Sequence, residues 1–344
     1  MPKSRIFTAI DLFSGCGGLT LGLKRAGFRV LGAVDNDSLS VETYKKNHSE
    51  VCIWHQDIRY LSVEIVKKTL KLKKGQLDLL AGCPPCQGFS TMRTLNRNKS
   101  IDDPRNSLIF EFLRIVEELR PKTIMFENVP GLAKDLSFSL FQNLLEDMGY
   151  ICNIDTLDAA DYGVPQRRKR LILLAGKKRK IHFAGESKRN PTVRDALGNM
   201  SLPSQSKDSL HNILEKRTHC ITELIKLIPK NGGSRRDLGD GYQLPCHKKC
   251  DGFKDVYGRM EWDKPAPTIT SGCTNPSKGR FLHPTQNRAI TLREAALIQS
   301  FPRRYYFSMS KGKQGVADMI GNALPPIFVE RHGLSISNYL KEYE

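Results

Sequence analysis

No stretch of this 344-residue sequence is apolar for long enough to cross a membrane. The one apolar run near the start, in MPKSRIFTAIDLF, is broken by Asp11 and runs straight into a glycine turn, so it reads as neither a signal peptide nor a span. Cysteine is sparse as well: nine residues, an odd number, scattered without a dense framework. That excludes a secreted disulfide scaffold and fits a reducing cytosol. Internal repeats and low-complexity tracts are lacking too. Acid is the scarcer charge, 36 Asp and Glu against 54 Lys and Arg, for a formal charge of +18. A surface that cationic faces a polyanion, and nucleic acid is the leading partner.

What is present is a rhythm. Between residues 8 and 176 short apolar runs (TAIDLF, VLGAVD, LDLLAG, TIMFENV, RLILLAG) alternate with segments of helical length at 19–27, 38–48, 59–72, 107–119 and 137–148. Such alternation predicts an α/β fold built on a doubly wound, mostly parallel sheet. SLIFEFLRIVEELR carries the clearest apolar stripe, and Pro121 stops it. From 184 to 287 Gly, Pro, Ser and basic residues break the periodicity, which marks a smaller, loop-rich lobe. Helical signal returns in ITLREAALIQSF. The expected organisation is therefore 1–183, 184–287, and a C-terminal helical segment 288–344 that returns to the first domain.

The first strand ends in DLFSGCGGLTLGL, where glycines let backbone amides approach a ligand at a helix N-terminus. A dinucleotide fingerprint would put Gly or Ala where Thr20 stands, which argues against a nicotinamide. The second strand ends VLGAVDND, placing Asp35 where an acidic side chain accepts from ribose hydroxyls. Glycine turn and acid together predict an adenosine-type cofactor.

GCPPCQGFS holds Cys83 and Cys86 two residues apart across a pair of prolines. A redox pair would need a thioredoxin-like context and a metal site a second ligand pair; neither is present. The stretch follows the buried run LDLLAG, at the sheet edge where doubly wound folds bind ligands, so Cys86 reads as a nucleophile. Glu127 ends the next strand beside Asn128, partly desolvated, a carboxyl able to donate to a substrate nitrogen. In DYGVPQRRKRLILLAG, Arg168 and Arg170 alternate onto one face, where cations hold a substrate oxygen or phosphate.

The order of these pieces resembles the DNA (cytosine-5) methyltransferase family, bacterial restriction-modification type. The matching stretches are DLFSGCGG, VDND, QDI, GCPPCQGFS, DDPRNSL, FENVPGL, DYGVPQRRKR, RAITLREAALIQSFP and IGNALPP, in sequence from about residue 6 to 340. The RNA-modifying branch is marked by a CFT signature and a short recognition region, and neither is found.

The resemblance implies S-adenosylmethionine as cofactor, S-adenosylhomocysteine as product and no metal. It implies that Cys86 adds to cytosine C6, Glu127 contacts N3 and the amine, Arg168 holds O2, and Arg170 completes the catalytic set. It places Phe13 against adenine, Ser14, Gly15, Gly17, Gly18 and Leu19 in the turn, and Asp35 and Asn36 at the ribose. Asp57 and Ile58 fall at the base, with Pro85, Leu108, Asn322 and Ala323 completing the pocket. Asn36 stands where the family often has Trp, and Cys83 where a small residue is usual; Cys83 and Cys16 are expected only to pack.

The lobe 184–287 corresponds to the target-recognition region. Thr268 in WDKPAPTITSG is expected on a phosphate, with Arg235, Arg236, Lys248, Arg259, Lys278 and Arg280 as DNA contacts and Arg93, Arg97 and Lys99 on a loop after the nucleophile. Cys246, His247 and Cys250 lack a second pair at zinc spacing. The implied partner is double-stranded DNA, bound by a monomer in the bacterial cytoplasm and nucleoid, with a cognate restriction endonuclease as a genetic rather than physical partner. Cys86→Ser is expected to abolish methyl transfer while DNA binding persists, and Cys83→Ser to keep substantial activity. Equal inactivity of both folded variants, read by methyl incorporation into DNA, would restore a paired role for the thiols.

Overall fold

The computed structural model describes residues 5–85, 108–213, 215–243 and 255–342. The backbone packs into two compact units. The first comprises 1–162, 169–186 and 324–344, the second 163–168 and 187–323. These limits fall elsewhere than 1–183, 184–287 and 288–344: the helices Leu292–Ile298 and Gly312–Asn322 belong to the second unit, and only Pro326–Lys341 to the first.

The first unit is a seven-stranded sheet in the order β3-β2-β1-β4-β5-β7-β6. Its strands are β1 (Thr8–Leu12), β2 (Arg29–Asp35), β3 (Cys52–His55), β4 (Leu79–Gly82), β5 (Thr123–Asn128), β6 (Ile151–Asp158) and β7 (Lys169–Gly176). β4 and β5 are buried at every residue, as befits strands covered on both faces, which is why LDLLAG and TIMFEN read as continuous apolar runs. RLILLAG belongs to β7, which runs antiparallel to both β5 and β6 rather than extending the parallel rhythm. Only residues 159–168 link β6 to β7, and a parallel crossover needs a dozen or more. The strands β3 and β6 carry no long apolar run; β6 mixes buried and exposed residues at the sheet's edge.

The helices are α1 (Gly18–Arg25), α2 (Ser38–Asn47), α3 (Val63–Leu70), α4 (Leu108–Leu119) and α5 (Leu136–Asp147). The expected helix 59–72 divides: Ile58–Tyr60 forms a 3-10 turn, and Ser62 caps α3 by accepting from Ile65 N. The helix Pro326–Lys341 lies so close to α1 that a Cβ on Gly22 would sit 2.4 Å from Val329 Cβ, and one on Gly333 2.7 Å from Ala26 Cβ. The chain order reverses between β1 and β4, and the carboxyl ends of those strands are where an open α/β sheet binds its ligands.

The second unit contains, among the described residues, short helices, 3-10 turns and isolated bridges. Its small apolar cluster of Leu224, Ile225, Ile228, Tyr257 and Leu282 surrounds a charged side chain. Arg259 is 0% exposed; its Nε donates to Ile228 O at 3.1 Å, Nη1 to His283 O at 3.0 Å and Gln286 O at 2.6 Å, and Nη2 to Ile225 O at 2.7 Å and Asn287 Oδ1 at 2.8 Å. The guanidinium thus ties the end of helix His219–Leu227 to the turn 283–287. Arg259→Met would leave several buried carbonyls without a donor, and should lower stability by about 3 kcal/mol or more in urea unfolding. A loss within ~0.5 kcal/mol would show that the cluster tolerates an uncharged side chain.

Candidate active site

Strand register brings the chemical groups together. Leu12 pairs with Gly82, Gly82 with Phe126, and Glu127 with Ile172. One residue beyond the first two pairs, Cys83 lies beside Glu127, and Cys83 N donates to Leu12 O at 3.3 Å. Neighbouring residues of a sheet share a face and i, i+2 positions repeat it. Asp11, Cys83, Glu127 and Arg170 therefore all stand on one face of four adjacent strands. On the opposite side of the pleat, Asn128 Nδ2 donates to Pro84 O at 3.1 Å and anchors the proline turn to the end of β5.

Glu127 is 8% exposed, and Arg170 Nε meets its Oε1 at 2.8 Å. Arg170 Nη1 donates to Lys169 O at 2.8 Å. Cys83 stands beside the Glu127 carboxylate, and burial first, then the charge of Glu127, pushes its thiol well above the ordinary thiol range, so it keeps its proton. Cys16 is pushed up to about 12 by burial and packs, as expected.

Arg168 is placed otherwise than the sequence suggested. It precedes β7, is buried within the second unit, and donates through Nη1 to Ile269 O at 3.0 Å and through Nη2 to Gly321 O at 2.9 Å. Both terminal nitrogens are thus engaged by that unit's own backbone. Gln166 does the same work nearby, donating to Gln299 Oε1 at 2.6 Å and accepting from Ile269 N at 2.7 Å.

The glycine turn is a cradle held by Asp35. Gly15 N donates to Asp35 Oδ2 at 2.7 Å and Asp37 N to Oδ1 at 2.9 Å, while burial pushes this carboxyl up. Ser14 N donates to Val34 O at 3.0 Å, Gly17 caps α1 with φ of 94°, and Gly18 and Leu19 open the helix. Phe13 has φ of 60°, a conformation that non-glycine residues rarely adopt and that clusters at ligand sites. A Cβ built on Gly15 meets nothing within 4 Å, so the turn borders open space. Phe13, Trp54 and Leu108 pack on the core cluster that includes Ile58. Asp57 caps the turn Ile58–Tyr60, and the Arg59 guanidinium holds its carboxyl below the usual range. Asn36 and Pro85 are exposed. Asn322 ends the helix Gly312–Asn322 and Ala323 caps it, both in the second unit.

Sequence reasoning passed over Asp11. It is fully buried, with Oδ2 accepting from Thr20 Oγ1 at 2.7 Å and Thr20 Oγ1 in turn 2.8 Å from Tyr44 OH. Oδ1 has no hydrogen-bond partner among the described residues, and burial raises the carboxyl to about 7. The signal was an Asp inside an apolar strand. Thr20, which spoils the dinucleotide fingerprint, is there to meet it.

Cys86, Arg93, Arg97, Lys99, Lys248 and the Cys246, His247, Cys250 group lie outside the described residues. Of the other expected DNA contacts, Arg259 must be corrected: with no exposure and five acceptors it is core, not surface. Arg280 is largely committed too, to Asp255 Oδ1 at 2.9 Å, Gly232 O at 2.6 Å and Arg259 O at 3.0 Å. Arg235 donates to Tyr242 O and lies 5.5 Å over the Tyr257 ring; Thr268 Oγ1 donates to Arg167 O at 2.7 Å; Lys278 is exposed. No metal-binding group of three ligands occurs among the described residues, and none of their helices is long and apolar enough to cross a membrane.

The sequence pattern of the C-5 cytosine-specific DNA methylases matches residues 7–338. The chain belongs to that family. It is 37% identical to the Type II methylase M.HgiDII of Herpetosiphon aurantiacus, over 96% of this chain and 95% of that one. It is 34% identical to the Type II methyltransferase M1.BsuMI of Bacillus subtilis (strain 168), over 92% of this chain and 77% of the relative. Among solved structures, a protein described as a prophage-encoded DNA modification methyltransferase (E. coli) matches with a TM-score of 0.75 at 26% identity, over 97% of this chain and 99% of that one. As a cytosine-5 DNA methylase the chain is an enzyme whose substrate is DNA.

In this methylase the buried Asp11 also sets a pH dependence. Its folded value of about 7 exceeds the unfolded value of 3.8, so the native state holds the proton more tightly. That contribution is full below about pH 4 and is lost as pH rises towards 7. Asp11→Asn should flatten this part of the stability profile, measured by urea unfolding at pH 5 and pH 7.5; an unchanged slope would assign it to other groups.

Proposed function

We propose that this enzyme is the modification methyltransferase of a Type II restriction-modification pair, acting as a monomer on one cytosine within a specific double-stranded DNA sequence. The Type II names of its relatives support this, and its chemistry rests on one observation: a buried Glu127 gripped by Arg170 at the sheet edge, next to the proline turn that leads to Cys86.

A cytosine inside a duplex cannot reach a sheet edge, so the base turns out of the stack, at a cost of roughly a few kcal/mol. The Cys86 thiolate adds to C6 and makes C5 enamine-like. Glu127 meets N3 and the exocyclic amine as charge develops on N3. Arg170, whose Nη2 lies beyond the bonds made by Nε and Nη1, takes the O2-holding role first expected of Arg168. When bound, S-adenosylmethionine would supply an electrophilic methyl group to C5 and be released as S-adenosylhomocysteine. The residues suited to hold it are Gly15, Gly17 and Asp35, because the cradle is strained, open and already organised by that carboxylate, with Phe13, Asp57, Ile58 and Leu108 as apolar and polar walls. Water then removes the C5 proton and Cys86 departs by elimination.

The second unit supplies sequence recognition in this reading, through Arg235, Thr268 and Lys278 rather than the buried Arg259. The endonuclease is a genetic partner, and the site of action is the bacterial nucleoid. Expression in a host free of cytosine methylation, followed by conversion sequencing, should show one short sequence methylated at one cytosine throughout. Methylation without sequence context, or none, would overturn the proposal.

A further inference from the structure

Cys83 was expected only to pack. Its surroundings argue otherwise. The residue follows β4 at the position that the register sets beside Glu127, with its backbone fixed on Leu12 O and the following Pro84 fixed by Asn128. Its side chain shares a face with Asp11 on one side and with Glu127 and Arg170 on the other. Its backbone is pinned on both sides of the side chain, and the register sets the thiol next to the carboxylate.

A glutamate has three side-chain torsions, and an ion pair through one oxygen leaves the carboxylate free to turn about that contact. Among the described residues Arg170 supplies the one ion pair, at Oε1. We infer that Cys83 is a positioning residue, whose thiol, presented from the adjacent strand end, is the second hold on Glu127 and fixes the plane in which that carboxylate meets the cytosine edge. The inference rests on the methyltransferase reading and on Glu127 as the group that touches the base. It gives the two cysteines of CPPC different tasks: one attacks, the other aims the acid.

The test uses the full chain and duplex DNA carrying the sequence it methylates, with single-turnover methyl transfer as the rate, and fluorescence anisotropy for DNA and calorimetry for S-adenosylhomocysteine as binding readouts. Cys83→Ala removes the donor without adding bulk. It should slow transfer about five-fold, the size of one modest hydrogen bond, with both affinities unchanged. Cys83→Ser, which restores an O–H donor, should recover most of the rate. Cys83→Ala at the wild-type rate, Cys83→Ser as slow as Cys83→Ala, or weakened binding alongside the slower rate would each overturn the inference in favour of simple packing. A wild-type chain that transferred no methyl group to DNA would overturn the underlying reading, and the inference with it.

Discussion

Because β1, β4, β5 and β7 are hydrogen-bonded in one fixed register, each side chain at their ends has a single set of neighbours. Slipping β5 by one residue would turn Glu127 to the opposite face and leave Arg170 facing Asn128 or Phe126 instead. The apolar residues of β5 prevent this, since Ile124 and Phe126 pack in the core with Leu80, Leu171 and Leu173 and would be driven to the wrong face with it. The packing of the core and the aim of the acid are thus one constraint. Antiparallel β7 is part of it: a strand entering the sheet from this direction delivers Arg170 at its beginning, next to the carboxyl end of β5.

The second unit meets a different physical problem. With short elements and many turns, it must satisfy carbonyls that no strand ladder pairs, and a guanidinium with five donors is an efficient partner for them. Arg259 serves the turn 283–287, Arg280 serves 232 and 255–259, and Arg168 serves 269 and 321. Gly321 fits the last of these junctions because a Cβ there would meet Ser271 N at 2.3 Å. These three arginines are therefore internal scaffolding, so a count of basic residues overstates what this unit can offer to phosphates.

This bears on what could be read in advance. TAIDLF, VLGAVD, LDLLAG and TIMFENV declared their strands because burial on both faces writes a mostly apolar run, interrupted within TAIDLF by Asp11. β3 and β6 did not: CIWH is short, and ICNIDTLD mixes exposed and buried residues on an edge. The meeting of the glycine turn with Asp35 was legible from spacing, since a glycine turn and an acid at the end of the next strand must lie side by side if the two strands pair in parallel, as Gly15 and Asp35 do. Arg259 was not legible, because an arginine among glycines and prolines has the same local sequence whether it faces solvent or a ring of carbonyls. Nor was the partnership of Asp11 with Thr20 and Tyr44, which joins three segments that no sequence period connects.

Cys83 shows where sequence patterns stop informing. By motif it is a filler before the proline pair, and its chemistry is the same as that of any cysteine. Only the pairing of β4 with β5 makes it the neighbour of a buried carboxylate, and burial first, then the charge of Glu127, keeps its proton in place. A thiol held this way is a poor nucleophile for the same reason that it is a steady donor: the charge of Glu127 opposes a second anion on that face. A cysteine that keeps its proton in this way is suited to hold an acid and not to attack a base, which is a division of labour that the CPPC spelling alone does not reveal.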